Sequence, residues 1–490
     1  MMALFPDAPL LIDGALCRAE GAATYADISP WTGEEIGRAA DAGLGDLDRA
    51  VAAARRAFDK TSWAADHAGR LAALGRFVQA LKSGRDRFAA LARHEIGATA
   101  GTIYGPQCDA PLGMLDDTLS LVAGYAWEED LGIGEMFGFK SRRKLWKEPV
   151  GVVAAITPWN APTQINLAKI VPALAAGCTV VLKPAPESPM LGALLGEIAV
   201  EAGLPAGVLN VVTGAAPAAL GEALVKDPRI DMISFTGSTA TGKRIMADAA
   251  ERVARVFLEL GGKSANIILD DADLPSALGA ALLAMFHAGQ GCAVMSRLLV
   301  PRARYAEAVE ILRAGLERVE YGDPDAPQQI MGPLISERQR QRVLNYIEIG
   351  KREGARLVTG GRIPLQHERG FFVEPTLFAE VTNDMRIARE EIFGPVLVLI
   401  PFEDDEDAVR IANDSPYGLS GGVSSASPER ALAIARKVRT GTFSINGGVY
   451  YGGDSPFGGF KQSGVGREMG VAGFEEYLET KTVAFPEVMA

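Results

Sequence analysis

From residue 150 onward, short unbroken apolar runs alternate with stretches whose apolar residues recur every three or four positions. The short runs are rich in valine and isoleucine and carry few charges, as strands buried on both faces must be. VGVVAAI (150–156), CTVVLKP (178–184), VLNVVTG (208–214), MISFTG (232–237) and VFLELGG (256–262) read as strands. The intervening stretches 166–176, 190–202, 218–225 and 239–254 read as helices. Strand–helix alternation with short connections predicts a parallel sheet with right-handed crossovers.

A second stretch of mixed pattern follows. A buried helix over 276–288 leads through AGQGCAVMS to the strand RLLVP. Helices near 303–319 and 336–353, the runs FFVEPTLF and PVLVLIPF, a helix over 405–413, GTFSING and a last strand TKTVAF complete it. Before residue 130 the pattern is helix-rich, with helices over 47–58 and 69–97. Residues 135–148 alternate polar and apolar, which predicts a half-exposed strand or hairpin. Its basic residues Lys140, Arg142, Arg143, Lys144 and Lys147 fit an exposed strand edge. The fold expected is α/β: a Rossmann-like cofactor domain, an α/β catalytic domain and a small β oligomerisation arm. The boundaries expected are 1–127 with 150–260, then 261–460, then 128–149 with 461–490.

Composition narrows the setting. A chain of 490 residues holds about three units at roughly 150 residues per domain. Hydrophobic residues at 48% and charged residues at 22% fit a folded globular protein and exclude wholesale disorder. The formal net charge of −12 and the lack of a long basic run argue against nucleic acid as a partner. The uncharged run 274–296 is broken by Pro275, His287 and Gln290, so no membrane span is expected. Cys17, Cys108, Cys178 and Cys292 form no CxxC, and no histidine cluster exists. Disulfides and metal are therefore not expected, and a reducing cytoplasm is the expected location.

Several residues could carry chemistry. Cys292, in GQGCAVM, is flanked by small residues that let a substrate approach a thiol, although a free cysteine is usually inert. Glu259, in LELGGKS, is a lone carboxyl among Phe257, Leu258 and Leu260. If buried it becomes a base of raised pKa; the alternative is a strand-end surface residue. Asn160 lies between Pro158 and Pro162, which stiffen its loop as an oxyanion donor requires, or serves simply as a turn residue. Gly237 and Ser238 open a helix after a strand, where free N–H groups favour phosphate. Lys183 ends a strand within reach of a ribose or phosphate, and EEIFGPV places two acids before Phe393.

Singly these signals are weak. Together PWN (158–160), LKP (182–184), FTGS (235–238), LELGGKS (258–264), GQGC (289–292), EEIFGP (390–395) and PFGGFKQSGVGRE (456–468) resemble the aldehyde dehydrogenase superfamily in order and spacing. The resemblance spans nearly the whole chain. It implies that Cys292 is the nucleophile, that Asn160 and the Cys292 N–H hold the oxyanion, and that Glu259 activates the hydrolytic water. It implies cofactor contacts from Trp159, Lys183, Gly237, Ser238, Glu391 and Phe393, with Gln339 a weaker match. NAD is the cofactor implied. NADP remains possible because Pro186 stands where many NAD-preferring relatives have glutamate, which here falls at Glu187.

Ala161 and Ala168 replace aromatic residues common in relatives acting on small aldehydes, and Tyr450 and Tyr451 fall at the tunnel mouth. These departures imply a wider tunnel for a long, branched or aromatic aldehyde. The partners implied are a small aldehyde and further copies of the chain, as a homodimer or homotetramer. A CoA-acylating semialdehyde dehydrogenase is the alternative, disfavoured by Glu259; a catalytically silent binding protein is a third reading.

Overall fold

Glu259 closes the last parallel strand of one sheet, and Cys292 lies in the loop that leads into the other. The computed structural model describes residues 4–367 and 369–486. The first sheet has eight strands in the order Ala15–Cys17, Leu10–Ile12, Leu209–Val211, Thr179–Lys183, Val152–Ile156, Met232–Thr236, Arg255–Glu259, Gly464–Val465. The five inner strands run parallel. Val152–Ile156 (VVAAI) is buried at every position, as a strand covered by helices on both faces must be. The helix Pro162–Ala176 that follows it starts on a proline and ends at Gly177, whose φ of 100° closes the helix in the left-handed conformation. The strand order reverses beside Val152–Ile156, and a crevice opens at the carboxyl ends of the strands at such a switch point.

The second sheet has seven strands, with Arg297–Pro301 and Ala265–Ile268 at its centre. Its pairings are parallel except at Arg356–Thr359, which runs antiparallel. A third sheet joins Leu478–Pro486, Phe139–Pro149 and Glu128–Met136, all antiparallel.

Several expectations change. The basic run 140–147 is not a strand edge: Phe139–Pro149 is the middle strand of the third sheet. Arg142 and Lys144 pair with Asp130 and Glu128 on the neighbouring strand, as solvent-exposed opposite charges across the pair. The helix read over 69–97 is two, His67–Ser83 and Arg85–Glu95, because Gly84 ends one and begins the next. The helix read over 276–288 stops at Ala281; a looser turn follows, in which His287 and Ala288 have φ of 49° and 52°. The first 130 residues also hold two antiparallel strand pairs that periodicity did not reveal. Within 461–490, assigned to the arm, Gly464–Val465 instead pairs with Leu258 and Glu259 at the edge of the first sheet. Residues 1–3, 368 and 487–490 lie outside the described residues.

Candidate active site

The two sheets meet at Gly261 and Gly262. A Cβ on Gly262 would lie 2.3 Å from the Cys292 carbonyl oxygen, and one on Gly261 would lie 2.5 Å from a Glu391 carboxyl oxygen. Only glycine admits this approach, which brings the Cys292 loop and the Glu391 loop against the end of the strand carrying Glu259.

Cys292 is partly exposed. Its thiol is pushed up to about 12, first by burial and then by the carboxyls of Glu259, Glu391 and Glu468. Glu259 is buried, and neither carboxyl oxygen has a hydrogen-bond partner. Burial and the nearby Glu468 raise its pKa well above the carboxylate range, with Lys169 and Arg467 opposing. Glu468 pairs with the fully buried Lys169 at 2.8 Å, and that ammonium also donates to Ser234 Oγ at 3.2 Å.

Asn160 is buried between two glutamines. Its Nδ2 donates to the Gln290 carbonyl at 3.1 Å, and its own carbonyl accepts from Gln107 Nε2 at 2.7 Å. Gln290, two residues before the thiol, is locked in turn: its side-chain nitrogen donates to His287 and Pro333, and its oxygen accepts from Ile335 N.

Beyond the strand ends lies a groove of about 790 Å³ lined by Trp159, Lys183, Pro186, Glu187, Gly237 and Thr241 among others. It coincides with the switch point of the first sheet. Burial pulls the Lys183 ammonium down to about 8, and its one bond is to the Pro184 carbonyl at 3.2 Å. Thr157 and Thr236 line the same groove with buried hydroxyls that have no partner. A buried hydroxyl left unpaired in the protein suits a polar ligand. The helix Thr239–Ala250 points its N-terminus here, with Gly237 before it. Ser238 is its cap: the Oγ accepts from Thr241 N at 3.2 Å, so its hydroxyl is committed within the helix. Glu187 pairs with Arg338 across the groove at 2.6 Å.

At the other end of the groove, Trp159 meets Phe393 edge-on, ring centroids 5.4 Å apart. Phe393 has a φ of 62°, and its carbonyl is held by Gln339 Nε2 at 2.7 Å. Glu391 accepts from Gly262 N at 3.0 Å, and burial lifts its carboxyl to about 7. Thus the candidate catalytic and cofactor-binding residues singled out in the sequence, Gln339 included, lie around the groove and the thiol loop.

A separate, mostly apolar cavity is lined by Ala168 and Tyr451 among others. Ala161 is buried and Tyr450 bonds to Ser420 Oγ at 3.2 Å, so these two do not line it. Met114, Leu115, Met469 and Phe474 also line this cavity, whose free volume is about 40 Å³. Sequence reasoning missed Gln107, Lys169, Glu468, Thr157 and Thr236.

Known proteins share the fold and the family of this chain. The model of the aldehyde dehydrogenase family matches residues 17–483. The chain belongs to the aldehyde dehydrogenase family. It is 43% identical over 475 residues to a 3-succinoylsemialdehyde-pyridine dehydrogenase from a Pseudomonas species, covering 96% of this chain and 97% of that protein. It is 41% identical to the betaine aldehyde dehydrogenase of Bacillus subtilis, covering 97% and 96% of the two chains. An aldehyde dehydrogenase from Mycobacterium tuberculosis, solved with NAD+, superposes with a TM-score of 0.94 at 42% identity and 99% coverage of both chains. As an aldehyde dehydrogenase, the protein is an enzyme that oxidises an aldehyde to a carboxylic acid.

Proposed function

We propose that this aldehyde dehydrogenase is NAD-dependent and non-acylating, and that its substrates are uncharged aldehydes with slender apolar tails. The observation that carries the reading is Glu259: a buried carboxyl with both oxygens free, within electrostatic range of Cys292. Water activation needs such a base; transfer of the acyl group to CoA does not.

Cys292 Sγ, once deprotonated, forms a C–S bond to the aldehyde carbon, and the carbonyl π pair moves onto oxygen. Asn160 Nδ2 donates one hydrogen to Gln290, which leaves its second, with the Cys292 N–H, for that oxyanion. A bound nicotinamide, held by Trp159, Glu391 and Phe393, would supply the hydride acceptor. Loss of hydride leaves a thioester on Cys292. Glu259 then takes a proton from water, the water oxygen bonds to the acyl carbon, and the C–S bond breaks to release the acid and the thiolate.

The groove suits NAD. The unpaired Thr157 and Thr236 hydroxyls, Lys183 and the helix N-terminus offer polar contacts to riboses and a pyrophosphate, and Trp159, Glu391 and Phe393 bracket the nicotinamide end. Pro186 removes one carboxylate that would repel a 2′-phosphate, so NADP is accepted less well but measurably. The tail assignment rests on the absence of any charged residue from the lining of the apolar cavity.

The two larger sheets serve as cofactor and catalytic lobes, and the third as the arm that joins copies into a dimer or tetramer. Among the described residues no helix is long and apolar enough to cross a membrane, and all four cysteines are unpaired. Free thiols fit a reducing cytoplasm. The test is NADH formation from length-matched apolar, cationic and anionic aldehydes, with each cofactor and with or without CoA. Apolar aldehydes should have the highest kcat/KM with no CoA requirement, and Cys292→Ala should abolish all of it. A best substrate that is cationic, or strict dependence on CoA, refutes the reading.

A further inference from the structure

Gln107 lies 53 residues before the oxyanion amide in sequence, yet it is hydrogen-bonded to the same residue. It ends a single π-helical turn, Ile103–Gln107, that contains Gly105 and Pro106. Such turns are inserted at an energetic cost and recur where a side chain must be re-aimed near a functional site. Here Gln107 is buried, its Nε2 donates to the Asn160 carbonyl at 2.7 Å, and its Oε1 is buried with no partner. One half of this amide is bonded and the other left unsatisfied. A residue needed only to fill space would be apolar.

We infer that Gln107 is a positioning residue for the oxyanion site, acting through Asn160. The Asn160 carbonyl belongs to the peptide plane that joins it to Ala161 and the helix Pro162–Ala176. Gripping that oxygen fixes the Asn160 backbone, and so the direction in which its Cα–Cβ bond sets out. The side-chain bond from Nδ2 to the Gln290 carbonyl fixes the far end. Two tethers at opposite ends leave the amide one orientation, with a free N–H directed beside Cys292. Without Gln107 the far tether alone remains, and the amide can rotate about it. The inference rests on the oxyanion role proposed above for Asn160.

The test is a double-mutant cycle read by the pre-steady-state burst of NADH, which reports formation of the thioester. Asn160→Ala should slow the burst by about 10²–10³-fold. Gln107→Leu should slow it by about tenfold, since displacement of about 1 Å costs up to ~10²-fold. The NAD dissociation constant should stay as in the parent. In the Asn160→Ala background Gln107→Leu should add less than about twofold, because the residue through which it acts is gone. Equal Gln107→Leu losses in both backgrounds overturn the positioning role. An unslowed burst in Gln107→Leu alone does the same. An unslowed burst in Asn160→Ala overturns the oxyanion reading instead.

Gln107→Glu guards against a fold defect. A buried carboxyl donates to the Asn160 carbonyl only while protonated, so its burst should fall as pH rises, over a range where the parent's does not. A burst in Gln107→Glu with the parent's pH profile also overturns the inference.

Discussion

Two glutamates flank the glycine crossing between the sheets, and they are held in opposite ways. Glu391 is tied by the Gly262 amide and has its pKa at about 7. Glu259 is more fully buried, neither of its oxygens is bonded, and burial with the nearby Glu468 raises its pKa well above the carboxylate range. An amide N–H stabilises the carboxylate and fixes its plane, which suits a residue that must accept hydrogen bonds in one direction. A carboxyl without donors keeps its lone pairs free and its proton affinity high, which suits a base that handles one water. The backbone donor thus separates the two acids together with depth of burial and the Glu468 carboxyl beside Glu259.

The largest expected effect is Glu259→Gln, which keeps the shape and removes the base. Steady-state turnover should fall by ~10²–10⁴-fold while a burst near one equivalent of NADH survives. In the parent, the deacylation rate should rise with pH through a value well above the ordinary carboxylate range, because the raised pKa keeps Glu259 protonated below it. The variant should lack this limb; loss of the burst together with turnover would assign Glu259 to thiol activation.

Gly262→Ala attacks the frame shared by both glutamates. The added Cβ has no room against the Cys292 carbonyl, so the thiol should be displaced and the burst slowed by about 10²-fold. Near-parent kinetics would show that the loop yields without consequence.

Glu391→Gln should be milder, about tenfold, since it weakens one charge-assisted contact. Burst and steady state should fall together, with no stalled thioester; an isolated deacylation defect would erase the distinction between the two acids. The smallest effect expected is Pro186→Glu, which should raise the NAD over NADP preference by up to about fivefold, the scale of a solvent-screened charge. An unchanged ratio would show that residue 186 does not face the ribose.

Much of the site was legible because its parts are short local runs: PWN, LELGGKS and GQGC each place a side chain with its own flanking glycines or prolines. The parallel strands were legible because burial on both faces leaves an unbroken apolar signal. Gln107 carried no such signal, since its partner is far along the chain. The Lys169–Glu468 pair spans 299 positions, and either residue alone reads as a surface charge. The helix after residue 274 was overextended because the apolar run continues to residue 289, while the backbone has already turned left-handed at His287. Composition records burial; it does not record handedness. The short strand pairs near the N-terminus fell below the length at which alternation is distinguishable from chance.

The crossing between the sheets is also a ruler. Leu260, Gly261, Gly262, Lys263 and Ser264 are all buried, and they alone separate the strand end at Glu259 from the strand start at Ala265. Nothing in that span can loop outward to absorb an extra residue. In the gene, then, this is a stretch whose length is as constrained as its letters: a one-codon insertion or deletion would slide one lobe's register against the other and part the base from the thiol, even with every catalytic side chain still encoded.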